Sequence, residues 1–206
     1  MRAMTTFILC FSTFAWLATP LFSSDSVSIT RVDEDWELVV REPSPMLDSP
    51  QISTWMSPTD SLDGKHFATD FNHAQRPDFS SGGFQVKAMD WESLMDDCIS
   101  DSGDNLSNDN ETIRWTQRME IKENALEFSI HDGTSQSWGT FGGTNTKVRF
   151  DQSPVANLNA YSVNKSAEWA GVGFGGNRVQ SFTLKRIRIY VNDQLYASVD
   201  VNQVIQ

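Results

Sequence analysis

Apolar and polar residues alternate along the chain from Thr112 to Lys122. Ile113, Trp115, Met119 and Ile121 are separated by Arg114, Thr116, Arg118, Glu120 and Lys122, and Gln117 is the one polar residue on the apolar side. A period of two predicts a half-buried β-strand. Glu123 and Asn124 break the pattern, and Leu126, Phe128 and Ile130 resume it. The segment from Glu111 to His131 therefore reads as a long hairpin whose polar face carries Arg114, Arg118, Glu127 and His131. A second hairpin is predicted at the C-terminal end. Ile187, Ile189 and Val191 alternate, Asn192 and Asp193 form a turn pair, and Leu195, Ala197, Val199 and Val201 alternate again. Phe182 and Leu184 have the opposite parity to Ile187, so the pattern requires a β-bulge near Lys185 and Arg186.

Shorter strands are predicted over Val27–Val32, Trp36–Val40, Ile52–Met56, His66–Phe71, Phe84–Ala88, Thr146–Phe150 and Leu158–Val163. Turn signals separate them: Asp33 to Asp35, Pro43 to Pro45, Asp63 with Gly64, and Ser81 to Gly83. Trp91, Leu94, Met95, Cys98 and Ile99 follow helical spacing behind Asp90 as an N-cap, which predicts one short helix. The acidic stretch Asp101–Asn110 reads as an exposed loop. Many short strands with regular breaks predict an all-β fold, an antiparallel β-sandwich of jelly-roll or concanavalin-like type with one short helix.

Composition adds an address and a charge. Arg2 precedes the apolar run Phe7–Leu17, and small and polar residues follow. This is the pattern of a secretory signal peptide over residues 1–24, cleaved between 18 and 26, with a single domain over 25–206. The run is too short for a membrane span. A secreted, periplasmic or cell-envelope location is expected. The chain has 27 acidic against 16 basic residues, a net charge of -11. Loss of Arg2 with the signal deepens this to -12 and leaves Cys98 as the one cysteine, so the mature domain has no intrachain disulfide. The acidic balance argues against nucleic acid and against anionic membrane surfaces as partners.

The segment IRIYVNDQLYASVDV, Ile187–Val201, resembles the strand–turn–strand unit of concanavalin-like lectin and glucanase sandwiches. A broader set of segments is similar to uncharacterised secreted proteins of planctomycete-type bacteria: Trp36–Val40 with Glu42 and Pro43, Phe71–His73, Thr112–Gln117, Ser137–Gly143 and Gly176–Ser181. That resemblance spans most of the mature chain and implies no activity.

Candidate chemistry is sparse. His66, Asp70 and Asn72 would share one strand face, as metal ligands must converge, but no HxH or HExxH spacing supports a site. The densest carboxylate cluster, Asp33 to Glu37, reads DEDWE at an expected turn. The sandwich glucanases that the first resemblance brings in carry ExDxxE along one strand, so the match is incomplete. Arg114, Arg118 and His131 share a polar face, as a lyase would need, without the arginine–glutamate motif of sandwich lyases. Asp101–Glu111 lacks calcium-loop spacing. There is no GxSxG, P-loop or CxxC, and no cofactor or metal is implied. Cys98 reads as a buried, unreactive thiol.

The remaining signal is aromatic and glycine-rich. Seven of the twelve glycines fall between Gly139 and Gly176, and Trp138 and Trp169 each precede a glycine stretch. Trp36, Trp91 and Trp115 read as core. The candidate ligand-binding residues are Trp138, Phe141, Asn145, Trp169, Phe174, Asn177 and Arg178, because aromatic rings stack on sugar faces while amide and guanidinium groups bond hydroxyls. The competing role for the same residues is sheet packing. The expected function is a secreted non-catalytic module that binds a polysaccharide or cell-surface glycan. The alternatives are an extracellular polysaccharide hydrolase or lyase and a structural envelope protein.

Overall fold

The computed structural model describes residues 27–41, 50–71, 83–101, 106 and 108–206. The signal segment, Asn72, the Pro43–Pro45 turn and much of the acidic loop lie outside them. The strands are β1 Arg31–Val40, β2 Gln51–Met56, β3 Lys65–Phe71, β4 Gly83–Asp90, β5 Ser93–Asp101, β6 Thr112–Lys122, β7 Ala125–Ser135, β8 Gly139–Phe141, β9 Lys147–Phe150, β10 Gly171–Phe174, β11 Val179–Val191 and β12 Gln194–Val204. Among the described residues one α-helix, α1, spans Val163–Trp169. The long sheet has the order β12-β11-β1-β6-β7-β8, with β9 also paired to β7. The second sheet has the order β10-β2-β3-β4-β5. All pairs are antiparallel.

The two sheets pack face to face, as the alternation predicts. Phe67 on β3 stacks on Phe128 of β7 at 5.1 Å, and Phe71 meets Trp115 of β6 at 4.5 Å. Trp36, Trp115 and Phe182 form the centre of the long sheet's inner face, and the two indoles lie 6.2 Å apart. Both predicted hairpins form. Their turns, Glu123-Asn124 and Asn192-Asp193, have positive φ at both positions, which is the type I′ geometry that matches strand twist. The predicted bulge is present. Asp35 pairs with Arg186 but Trp36 pairs with Leu184, so Lys185 is the extra residue.

Four expectations are corrected. The Trp91–Ile99 segment is a turn and strand β5, not a helix. Trp91, at φ 54, sits in the β4–β5 turn and is exposed. Met89 pairs with Leu94 but Ala88 pairs with Asp96, so a bulge at Met95 breaks the parity. That break turns an alternating pattern into a three-and-four spacing. The predicted strand Leu158–Val163 is instead the approach to α1, where Leu158 is buried and bonds Ile29 through its backbone. Asp33 to Asp35 is no turn; it lies in the middle of β1, between β11 and β6. Leu106, inside the expected exposed loop, is fully buried in the core.

Candidate functional site

Strand alternation sends Val32, Glu34, Trp36 and Leu38 of β1 into the sandwich and Arg31, Asp33, Asp35 and Glu37 outward. Register then sets the outward rows across the long sheet. Arg188, Asp33, Arg118 and Ser129 align on β11, β1, β6 and β7, and Arg186, Asp35, Thr116 and His131 form the next row. The DEDWE segment thus does place three carboxylates on one face, although its spacing still departs from ExDxxE.

Each carboxylate is engaged. Arg118 grips Asp33 with two parallel bonds, Nε to Oδ1 at 2.8 Å and Nη2 to Oδ2 at 3.0 Å. Asp33 is shut from solvent, and Arg31 and Arg188 stand 3.5 and 3.9 Å from it. Bidentate pairing of this kind supplies both charge and direction. The hydrogen bond to Asp33 raises the Arg118 pKa. Asp35 accepts from Arg188 at 2.5 Å and from Thr116 at 2.7 Å. Glu37 accepts from Arg114 at 2.7 Å. The Arg31 guanidinium lies 3.4 Å from the centre of the Tyr190 ring. His131 Nε2 is bonded to Ser129 Oγ at 2.8 Å. Burial, then the charge of Arg118, lowers the His131 pKa and favours the neutral ring.

An open groove of about 520 Å³ runs across this face between Asp35, Glu37, Arg114, Arg186, Arg188 and Asp200. It displays donors and acceptors in alternation and little exposed aromatic surface, since Trp36 and Trp115 at its floor are almost fully buried. Two of the groups a lyase would use are already engaged here: Arg118 is held by Asp33, and the Tyr190 ring is covered by Arg31.

The aromatic-glycine residues separate into two places. Trp138 and Phe141 touch at 5.4 Å and both lean on Phe71 and Phe84, with Trp138 stacked on Phe71 at 6.0 Å. The loop beneath Trp138 is pinned by buried Glu111, which accepts from the backbone N–H and the hydroxyl of Ser137 at 2.6 Å each. Asn145 is exposed and its carbonyl accepts from Cys98 Sγ at 2.9 Å. Cys98 is half-buried, and burial raises its thiol pKa. Trp169 ends α1 and is half-buried, Phe174 ends β10, Asn177 is exposed, and Arg178 is buried with its carbonyl accepting from Arg41 N–H. The second group is carried by the β10 edge, while the first sits beside β3, β4 and β7. His66 bonds the Gly64 carbonyl through Nδ1, and Asp70 is taken by Ser53 and the Lys87 ammonium. Among the described residues no group of three histidine, cysteine or acidic side chains is placed to hold a metal ion.

Reasoning from sequence placed Glu34 in an acidic turn and missed its burial. It is fully buried on the inner face of β1 and accepts from Trp36 Nε1 at 2.9 Å, Gln117 Nε2 at 2.7 Å and Tyr161 OH at 2.7 Å. Thr54 Oγ1 donates to Gln117 Oε1, which fixes the orientation of that amide. Burial raises the Glu34 pKa, and the hydroxyl of Tyr161 offsets this in part. Gln117, the polar residue in an apolar row, was the available signal. The chain matches no protein-family model and no curated protein.

Proposed function

We propose that the protein is a non-catalytic module that binds a hydroxyl-rich polymer, a glycan of a cell surface or extracellular matrix, along the outer groove of the long sheet. The observation that carries this reading is the row of alternating guanidinium and carboxylate groups bordering an open groove. Arginine and carboxylate together donate to and accept from vicinal hydroxyls, and an open groove admits a chain. Trp138 supports the reading less, because Phe71, Phe84 and Phe141 already occupy its surroundings.

A glycan array followed by affinity electrophoresis in the selected polysaccharide tests it. Retention is expected for the wild type, with loss in Arg188→Ala and Arg114→Ala. Trp138→Ala is expected to lower the melting temperature while retention persists. Retention that survives both arginine variants and vanishes with Trp138→Ala would move the site to the aromatic cluster. A second reading, hydrolysis, is favoured by the alignment of Asp33, Asp35 and Glu37 on one strand face. Release of reducing ends that is abolished by Asp35→Asn would establish it instead.

A further inference from the structure

Among the described residues the exposed large apolar side chains fall into two groups, one on β12 and one on the β4–β5 hairpin. The hairpin group gathers at its tip, where Trp91 is 64% exposed, Leu94 51% and Met95 58%, and Ile99 follows along β5. Gln85, Lys87 and Met89 share the outer face of β4, so their partners Ile99, Asp97 and Leu94 share it on β5. The bulge adds Met95 beside Leu94. Trp91 has φ 54, and the other seven non-glycine residues with positive φ are all Asn, Asp or Glu. A bulky side chain is strained in that conformation. An indole this exposed adds little to the core, so stability accounts for neither the residue nor its strain. The Trp91 backbone N–H donates to the Gly64 carbonyl at 3.0 Å, which fixes the tip against the start of β3. The surrounding charge has one sign. Between Lys87 and Arg114 there are eight acidic residues and no basic one. Lys87 itself is engaged by Asp70. Asp97 accepts from the Gln85 amide and Asp96 from the Arg149 backbone, and among the described residues Asp90, Glu92, Asp96 and Asp97 form no ion pair.

We propose that the tip of the β4–β5 hairpin docks a basic amphipathic helix of a partner protein. The tip asks two things of whatever covers it. Trp91, Leu94 and Met95 need apolar side chains against them, and Asp90, Glu92, Asp96 and Asp97 need cations close by. A helix whose apolar stripe is flanked by lysine or arginine supplies both on one face. Methionine adapts its shape to such a stripe, and the opposite charges steer the approach. An added strand fits less well, because the bulge at Met95 interrupts regular pairing along β5. A lipid surface fits less well too. Asp90 and Glu92 stand on either side of Trp91 in the chain and would enter the headgroups with it, whereas helices that lie in that layer carry basic flanks. Leu94 and Met95 offer a sugar neither a flat ring nor a hydrogen-bonding group. The tip belongs to the second sheet and the groove to the outer face of the long sheet, so the proposal stands without the polymer reading.

The test titrates a dye-labelled synthetic amphipathic helix of leucine and lysine with the full chain, at physiological salt, and follows fluorescence anisotropy. The wild type is expected to bind in the micromolar range. Trp91→Asn is the informative variant. Asn tolerates a positive φ, so the melting temperature is expected to hold or rise. The net charge is unchanged, so general attraction of a basic peptide to an acidic chain is the same in both proteins. Affinity for the peptide is expected to fall about ten-fold or more, as for loss of an aromatic anchor. Retention in polysaccharide is expected to be the same for both proteins. A second peptide, with serine in place of leucine and every lysine kept, is expected to bind as weakly to the wild type as the first does to Trp91→Asn. Absence of binding by the wild type at high micromolar concentration would overturn the proposal. So would equal affinity of the wild type and Trp91→Asn, or equal affinity of the two peptides for the wild type. Co-sedimentation with phosphatidylcholine vesicles that is lost in Trp91→Asn would also overturn it, by assigning the tip to lipid.

Discussion

Asp33 and Glu34 are consecutive, both are shut from solvent, and they are stabilised in opposite ways. Asp33 points to the outer face and meets three guanidinium groups. Glu34 points into the sandwich and meets only neutral donors, from Trp36, Gln117 and Tyr161. One residue step along a strand thus exchanges one electrostatic environment for another. On the outside, long side chains rooted on neighbouring strands reach over the sheet and supply counter-charge. On the inside, the packed indoles leave room only for hydrogen bonds. Buried charges without a partner are expensive, and the contrast between the two sides is open to measurement.

The largest expected effect is on the inner side. Trp115→Ala removes the ring that packs on Trp36, Phe71 and Phe182 and should cost about 3–5 kcal/mol in urea unfolding. A cost no larger than that of an outer-face variant would break the distinction between the two faces. Arg118→Ala comes next. It leaves Asp33 without its bidentate partner, for a cost of roughly 2–3 kcal/mol, below the full penalty of a broken buried pair because Arg188 and Arg31 remain nearby. If Arg118→Ala unfolds at the wild-type midpoint, Asp33 does not depend on that pair.

A pH series sharpens the contrast at Glu34. Its folded pKa is raised by burial, so the folded protein holds this proton more tightly than the unfolded chain. The group therefore lowers stability as pH rises from the ordinary glutamate range, about 4.3, to the raised folded value. Glu34→Gln has no such titration. Relative to wild type, the variant should gain stability as pH rises from about 4 to 7. A stability difference that stays constant over that range would contradict the assignment. The smallest effect belongs to Arg114→Ala at the exposed Arg114–Glu37 pair. It should cost below about 1 kcal/mol, less still in high salt.

The two hairpins, the bulge at Lys185 and the sandwich were all legible because alternation reports directly on which face is buried. Gln117 was visible as an exception, but its partners Thr54 and Glu34 stand far away in the chain and no spacing announces them. The β5 segment misled for a related reason. A bulge at Met95 on an edge strand imitates helical spacing, and only pairing with β4 shows the true parity. The aromatic-glycine stretches were visible as composition. Their division into a cluster on Phe71 and a separate group at the β10 edge was not.

Local pattern by itself determined that this chain builds two-sided strands, where its two longest hairpins turn, and that its inner faces carry Trp36, Trp115 and Phe182. Tertiary structure alone decided the fate of Asp33 to Asp35. Read locally, three acids in a row belong in a solvated turn. In the fold they form the middle of a central strand, because Arg118 and Arg188, brought in from β6 and β11, neutralise the outward pair, and Gln117 and Tyr161 solvate the inward one. Charge compensation acts through space, and a periodicity along the chain carries no record of it.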